Sequence, residues 1–248
     1  LFSSFINNKR RLKITLYSLF GSAFLISTLG VIKYFGIDLL INFKAKKRVW
    51  VTLGNPNFAG SYIVMLLTLA LVIYILTEKK KNRYLFGILS SFYYAFLMAT
   101  STRSAWVAFI AILPFIIYYT RDFLINNYKR VIIIIIIFGL ITVGLNTRYG
   151  GNIGGRFLSI TQDANKLIQG SEKEANEAGS NRIFIYRESL PLILERPLFG
   201  SGLDTFHKVF PHHKYEEFFG KNIIVDKAHC EYLQLAVTAG IPAALVYI

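Results

Sequence analysis

One cysteine, Cys230, stands among the 248 residues. That excludes an intrachain disulfide and a zinc site built on thiolates. Acidic residues are scarce too: 14 Asp and Glu against 28 Lys and Arg, for a formal net charge of +14. The sequence patterns of several familiar soluble enzymes are missing. No G-x-S-x-G, HExxH or Walker sequence occurs, and "GNIGG" and "GSG" do not lead from a strand into a helix as phosphate-binding loops do. An initiator Met is missing, and the chain stops inside the apolar run "AGIPAALVYI". The expectation is an internal piece of a longer chain, with further helices outside it and no signal peptide assigned.

Long apolar runs, by contrast, are abundant. The hydrophobic fraction is 54 % and the mean hydropathy is +0.45. Runs of about 18 or more apolar residues with almost no charge read as membrane-spanning helices. The excess of positive charge is uneven. The stretch from Arg148 to Lys227 is nearly balanced, and short loops elsewhere hold most of the surplus. That distribution suits orientation in a membrane and argues against nucleic acid as a partner.

The predicted fold class is all-α: a polytopic transmembrane helical bundle with one large extracytoplasmic, partly helical loop. Five spans are expected over 14–32, 58–77, 84–100, 105–119 and 131–145, together forming a bundle over 1–145. The fifth, "VIIIIIIFGLITVGL", would pass for a buried strand in water, but in lipid the need to satisfy every backbone group internally makes it a helix. A polar loop over 146–230 follows, with an amphipathic helix near 181–195, Ser180 as its N-cap and Pro197 beyond its end. Within it "QGSEKEANEAGS" reads as a charged surface piece. A sixth span, truncated, is expected over 231–248.

Placing Lys9, Arg10, Arg11 and Lys13 in the cytoplasm also puts the basic loops "EKKKNR" and "RDFLINNYKR" there, as the positive-inside rule requires. "GNPN", Arg103, the helix bearing Arg182 and Arg187, and His229 then emerge together on the outer face. One segment dissents: "KAKKRVW" carries Lys44, Lys46, Lys47 and Arg48 on that outer side. Either a re-entrant piece resets the count, or those charges serve an anionic ligand.

Each candidate residue has a plain reading beside a functional one. Arg103, in the "TSTRS" break, is either an interfacial anchor or a guanidinium held for a phosphate, which its planar fork suits. Arg182 and Arg187 are five positions apart, about 140° around a helix, and so do not share a face. Arg187, next to Glu188, has the plain reading of an ion-paired surface residue. His229 precedes the last span, where free amides favour anions. It is either an interfacial histidine or, as a neutral imidazole, a base for a hydroxyl. Cys230 diverges from it by about 100° on a helix and is no dyad partner. "HHKYEE" offers His212, His213, Glu216 and Glu217 at loose spacing and reads as a solvated loop; no metal site is assigned.

"GNPNFAGSYIVMLLTLAL", "STRSAWVA", "NRIFIYRESLPLILERPLFGSGLDTF" and "DKAHCEYLQLAVTAGIPAAL", in this order, resemble the successive signatures of the O-antigen ligase and polymerase superfamily. The likeness runs from about Leu53 to the C-terminus. It implies a multi-pass GT-C-type glycosyltransferase of the bacterial cytoplasmic (inner) membrane, working at its outer face without metal, cofactor or nucleotide sugar. The implied donor is a glycan on undecaprenyl pyrophosphate. The acceptor is lipid A core for ligases, another lipid-linked repeat for polymerases, and pilins or cell-wall polymers for related enzymes. Membrane lipid is the remaining expected partner. By this resemblance Arg103 and Arg182 hold the pyrophosphate and His229 acts on the acceptor hydroxyl. Arg187, Asn55, Asn57 and Lys227 are further candidates for the donor or acceptor site. Cys230 stands where the family often has Asn. The alternative is a transporter, a channel or a non-catalytic membrane protein of polysaccharide biogenesis.

Overall fold

A computed structural model describes residues 8–37, 48–148, 152–220 and 223–247. Among the described residues there is helix and no strand. The chain divides into two compact units, 1–158 and 159–248.

The first unit holds helices α1 (Lys9–Tyr34), α2 (Pro56–Leu76), α3 (Lys80–Thr100), α4 (Arg103–Asn126) and α5 (Tyr128–Arg148), and from α2 onward they follow one another through short connections. Four of them (α1, α2, α4 and α5) are long and apolar enough to cross a membrane. The β-branched run of α5 is therefore helix, as lipid demands of a backbone with no neighbouring strand to bond.

Helix α3 falls outside those four by composition. Lys80, Lys81 and Arg83 open it, and Ser90, Ser91, Tyr93 and Tyr94 lie along it. It packs against α1, α2 and α5, which meet the hydroxyls of Tyr93 and Tyr94, while the buried Ser90 Oγ has no hydrogen-bond partner among the described residues. Tyr93 Oη donates to the carbonyl of Phe20 at 2.6 Å. Tyr94 stacks on Phe138 with centroids 4.0 Å apart, and its hydroxyl meets Thr142 Oγ1 at 2.8 Å. Tyr34 Oη donates to the carbonyl of Leu145 at 3.0 Å, joining α1 to α5. Gly30 lets α1 approach the Phe96 ring, and Gly60 lets α2 approach Thr102 and Ala105; a β-carbon at either would overlap its neighbour.

Helix α6 (Asn152–Gln169) carries the boundary between the units, which falls after Leu158. The second unit continues with α7 (Glu172–Glu195), α8 (Phe206–Val209), α9 (His212–Phe219), α10 (Glu231–Ala239) and α11 (Ile241–Tyr247). Its core gathers Phe184, Ile185, Phe206, Phe210, Tyr215, Val225, Ala228 and Val237. Phe184 alone meets the rings of Tyr215, Phe218 and Phe219.

Two local readings change, and a third, the charged surface piece, gains a local structure. "QGSEKEANEAGS" contributes a helical turn closed by a capping box, in which Ser171 and Glu174 satisfy each other's backbone N–H. Ser180 is not a cap in extended conformation: Gly179, Ser180 and Asn181 all have positive φ, breaking α7 in two, and Arg182 opens the second half. "HHKYEE" lies in α9 rather than in a solvated loop, because Tyr215, Phe218 and Phe219 fall on one side and pack into the core.

The turn 198–202 lies backbone-to-backbone on the junction of α10 and α11. Ser201 and Gly202 donate their N–H groups to the carbonyls of Val237 and Thr238, both at 2.9 Å, and Ile241 N–H donates to Pro197 at 2.8 Å. Gly200 and Gly240 both have positive φ, and a β-carbon on either would run into the opposing backbone. The glycines of "PLFGSG" and "TAGIP" are thus two halves of one close approach.

Candidate functional site

Cationic side chains gather at one place in each unit. In the first, the place is the break between α3 and α4. Ser101 ends α3 in left-handed conformation (φ 50°, ψ 39°), and extended Thr102 leads into Arg103, the first residue of α4. Ser101 and Thr102 are buried, and Thr102 Oγ1 donates to the carbonyl of Pro56 at 2.8 Å. Two more arginines bind to this break. Arg48 Nε donates to the carbonyl of Thr100 at 3.2 Å; its Nη2 donates to Thr102 Oγ1 at 3.2 Å and to Asn57 Oδ1 at 2.8 Å. Arg156, in the first half of α6, donates from Nε to the carbonyl of Ser101 at 2.8 Å.

The carbonyls ending α3 carry the negative end of its dipole, which explains why guanidinium groups settle there. Three of them crowd one another. Burial first, then Arg156 and Arg103, push the Arg48 pKa below the ordinary arginine value. Burial and then Arg103 do the same to Arg156. Arginine stays charged at physiological pH, so these directions mark guanidinium groups that are first of all partly desolvated and then set near like charge. Asn55 caps α2, with its Oδ1 accepting from Asn57 N–H at 2.7 Å. Asn57 in turn orients Arg48. Lys44, Lys46 and Lys47 of the basic segment lie outside the described residues.

In the second unit the place is the turn before α10. His229 adopts φ 57°, and Cys230 after it is the extended N-cap residue of α10. The buried Ala228 holds the turn from the other side, with its N–H donating to Gln234 Oε1 at 2.8 Å. His229 is exposed, yet protein around it partly desolvates the imidazole. Burial first, then Arg182, lower the His229 pKa from the ordinary 6.5; Asp226 opposes the shift and Lys227 adds to it. His229 is therefore biased toward the neutral imidazole, with a guanidinium for a neighbour.

Tyr186 completes this group. It lies one turn after Arg182, on the same face of α7, and its hydroxyl points to the carbonyl of His229 at 3.4 Å. Burial raises its pKa, against the opposing pull of Arg182. Asn181 sets the position of Arg182: its Nδ2 donates to Tyr215 Oη at 2.9 Å, fixing the left-handed residue from which the second half of α7 starts.

Arg187 lies elsewhere. It pairs with Glu172 on the exposed side of α7, as the angular separation from Arg182 implies. His212 is a structural pin. Its Nδ1 accepts from Val225 N–H at 3.3 Å, and its Nε2 meets the carbonyl of His207 at 2.6 Å, which requires the Nε2–H tautomer. No cluster of metal-ligating residues occurs among the described residues.

Arg182, Lys227 and His229 are thus brought together in one unit, and Arg103, Asn55 and Asn57 in the other. Sequence reasoning does not single out Tyr186 or Arg156, and it names Arg48 only within a basic run. Tyr186 has a readable signal, the i, i+4 spacing from Arg182 in "RIFIY". Arg48 and Arg156 have none, since both reach the break through tertiary packing.

These features define a helical membrane protein with a cation-lined helix break and a second compact unit that presents a histidine beside an arginine. The O-antigen ligase family model matches residues 85–248, and the chain belongs to that family. No curated protein and no solved structure gives a significant match. The chain is accordingly an O-antigen ligase/polymerase-type glycosyltransferase of a bacterial membrane, with a lipid-linked glycan and an acceptor as its general partners.

Proposed function

We propose that the protein transfers a glycan from undecaprenyl pyrophosphate to an acceptor hydroxyl at the outer face of the cytoplasmic membrane, with His229 as base and Arg103 and Arg182 holding the pyrophosphate. The observation that carries this reading is the His229–Arg182 pair: an imidazole kept neutral by partial burial and by the adjacent guanidinium. A base must be unprotonated at working pH, and a pyrophosphate needs fixed positive charge.

The step balances as follows. The acceptor oxygen forms a bond to the anomeric carbon of the donor glycan, and its proton passes to the open ring nitrogen of His229. The bond between that carbon and the phosphate oxygen breaks, with the electron pair going to undecaprenyl pyrophosphate. The imidazolium then loses its proton to water. The leaving group is anionic from the start, so arginine side chains can stabilise the charge it gains. Lys227 and Asn57 serve the donor headgroup or acceptor in a supporting way, through the charge of one and the orientation of Arg48 by the other.

The test is genetic. His229→Ala and Arg182→Ala are introduced into the native host and the surface polysaccharide is analysed. Lost polymer at normal protein level is expected. Accumulated short lipid-linked repeats identify a polymerase, and accumulated long lipid-linked chains a ligase. Unchanged polymer in both variants overturns the assignment and favours a non-catalytic role.

A further inference from the structure

Building on the reading in which Arg103 binds the donor's pyrophosphate, we infer that Arg48 and Arg156 bind it too, making the break between α3 and α4 a three-guanidinium seat for a phosphorylated lipid headgroup.

Arg48 carries most of the argument. Its hydrogen bonds run to three neutral oxygens: the Thr100 carbonyl, Thr102 Oγ1 and Asn57 Oδ1. They engage Nε and Nη2 and fix the plane of the guanidinium, leaving Nη1 for a ligand. A half-buried cation held rigid by neutral acceptors and set beside two more cations is an arrangement that folding alone does not favour. A polyanion reverses the sign of that interaction, because each guanidinium can fork onto phosphate oxygens. Arg156 contributes from a different element and is likewise tethered through Nε, to the carbonyl of Ser101.

The backbone adds to the same field. Arg103 opens a 24-residue helix, so the N-terminal amides and positive dipole end of α4 meet at the break. Arg48 is the described cation of the dissenting basic segment. In the proposed topology Arg48 is on the outer side, where positive charge is not needed to orient the helices. Its position against Thr100 and Thr102 gives it local work instead.

The chemistry is that of a phosphodiester or pyrophosphate on a lipid, and two sources could supply it: the polyprenyl donor or a bilayer phospholipid. The full chain in nanodiscs of phosphatidylcholine is titrated with undecaprenyl pyrophosphate and, separately, phosphatidylglycerol, and bound lipid is counted by native mass spectrometry. Expected is preferential binding of undecaprenyl pyrophosphate, weakened about 10- to 100-fold by Arg48→Gln and by Arg156→Gln, the range of one charge-assisted hydrogen bond. Arg48→Lys, which keeps the charge, stays within a few-fold of wild type.

Equal affinity for phosphatidylglycerol, with equal weakening, supports the seat but assigns it to bilayer lipid. Wild-type binding by Arg48→Gln and Arg156→Gln, together with loss in Arg103→Gln, overturns the inference and leaves the proposed function standing. Wild-type binding by all three sinks both. If Arg48→Gln does not fold, Arg156→Gln decides, since Arg48 makes three bonds around the break and Arg156 reaches it from a different element, through Nε to the Ser101 carbonyl.

Discussion

Gln234→Leu should disable His229 without touching it. The histidine sits at φ 57°, a conformation that costs a residue with a β-carbon about 1–2 kcal/mol. What holds the turn there is the bond from the buried Ala228 N–H to Gln234 Oε1, 2.8 Å long. The Tyr186 hydroxyl at 3.4 Å from the His229 carbonyl is too long to do the same. Leucine at 234 leaves a buried N–H without a partner, at a cost of about 1–3 kcal/mol. That is as large as the strain it opposes, so the turn relaxes and the ring leaves its place. A bias of this size lowers the competent population about 5- to 150-fold. The assay is glycan transfer from a lipid-linked donor in membranes at about pH 8, where the imidazole is neutral. Gln234→Glu retains an acceptor oxygen and should keep most of the rate at that pH. A wild-type rate in Gln234→Leu, or equal loss in Gln234→Glu, would refute the reasoning.

Gly240→Ala should destabilise the second unit by upwards of about 2 kcal/mol, because φ 89° with ψ 167° is a region open essentially to glycine alone and the new methyl meets the backbone at Leu198; thermal unfolding of the purified chain reads this directly. Tyr93→Phe removes the bond to the Phe20 carbonyl and should cost about 1 kcal/mol in detergent unfolding, in the range found for hydrogen bonds between membrane helices. Stability should also fall on acidification. The folded state holds His229 below its ordinary pKa of 6.5, so as pH drops past that value the unfolded chain takes up the proton first and gains on the folded state. His229→Gln should flatten that dependence in a pH series of melting temperatures.

The all-helical class was legible because lipid leaves the backbone few choices, and a run such as "VIIIIIIFGLITVGL" has only one of them open to it. Arg103, Arg182 and His229 were legible as positions, since charge at the edge of an apolar run stands out, and the geometry of 3.6 residues per turn separates Arg187 from Arg182. The supporting structure was not. Arg48 takes its bonds from Asn57 and from Thr100–Thr102, two segments set by helix packing. The left-handed backbone at His229 comes from Gln234, five residues on, and at Asn181 from Tyr215, thirty-four residues away. The α9 segment misled because its polar residues, "HHK" and "EE", outnumber the three aromatics that decide its packing.

The central claim is that His229 works as a neutral base beside Arg182, and the pH dependence of glycan transfer tests it most directly. For wild type, the rate should fall on an acid limb centred below 6.5, the ordinary imidazole value. Arg182→Gln removes a charge that lowers the histidine pKa and should move the limb up. Asp226→Asn removes one that raises it and should move the limb down. A limb in the same place in all three proteins, or a limb that survives in His229→Ala, would contradict the account.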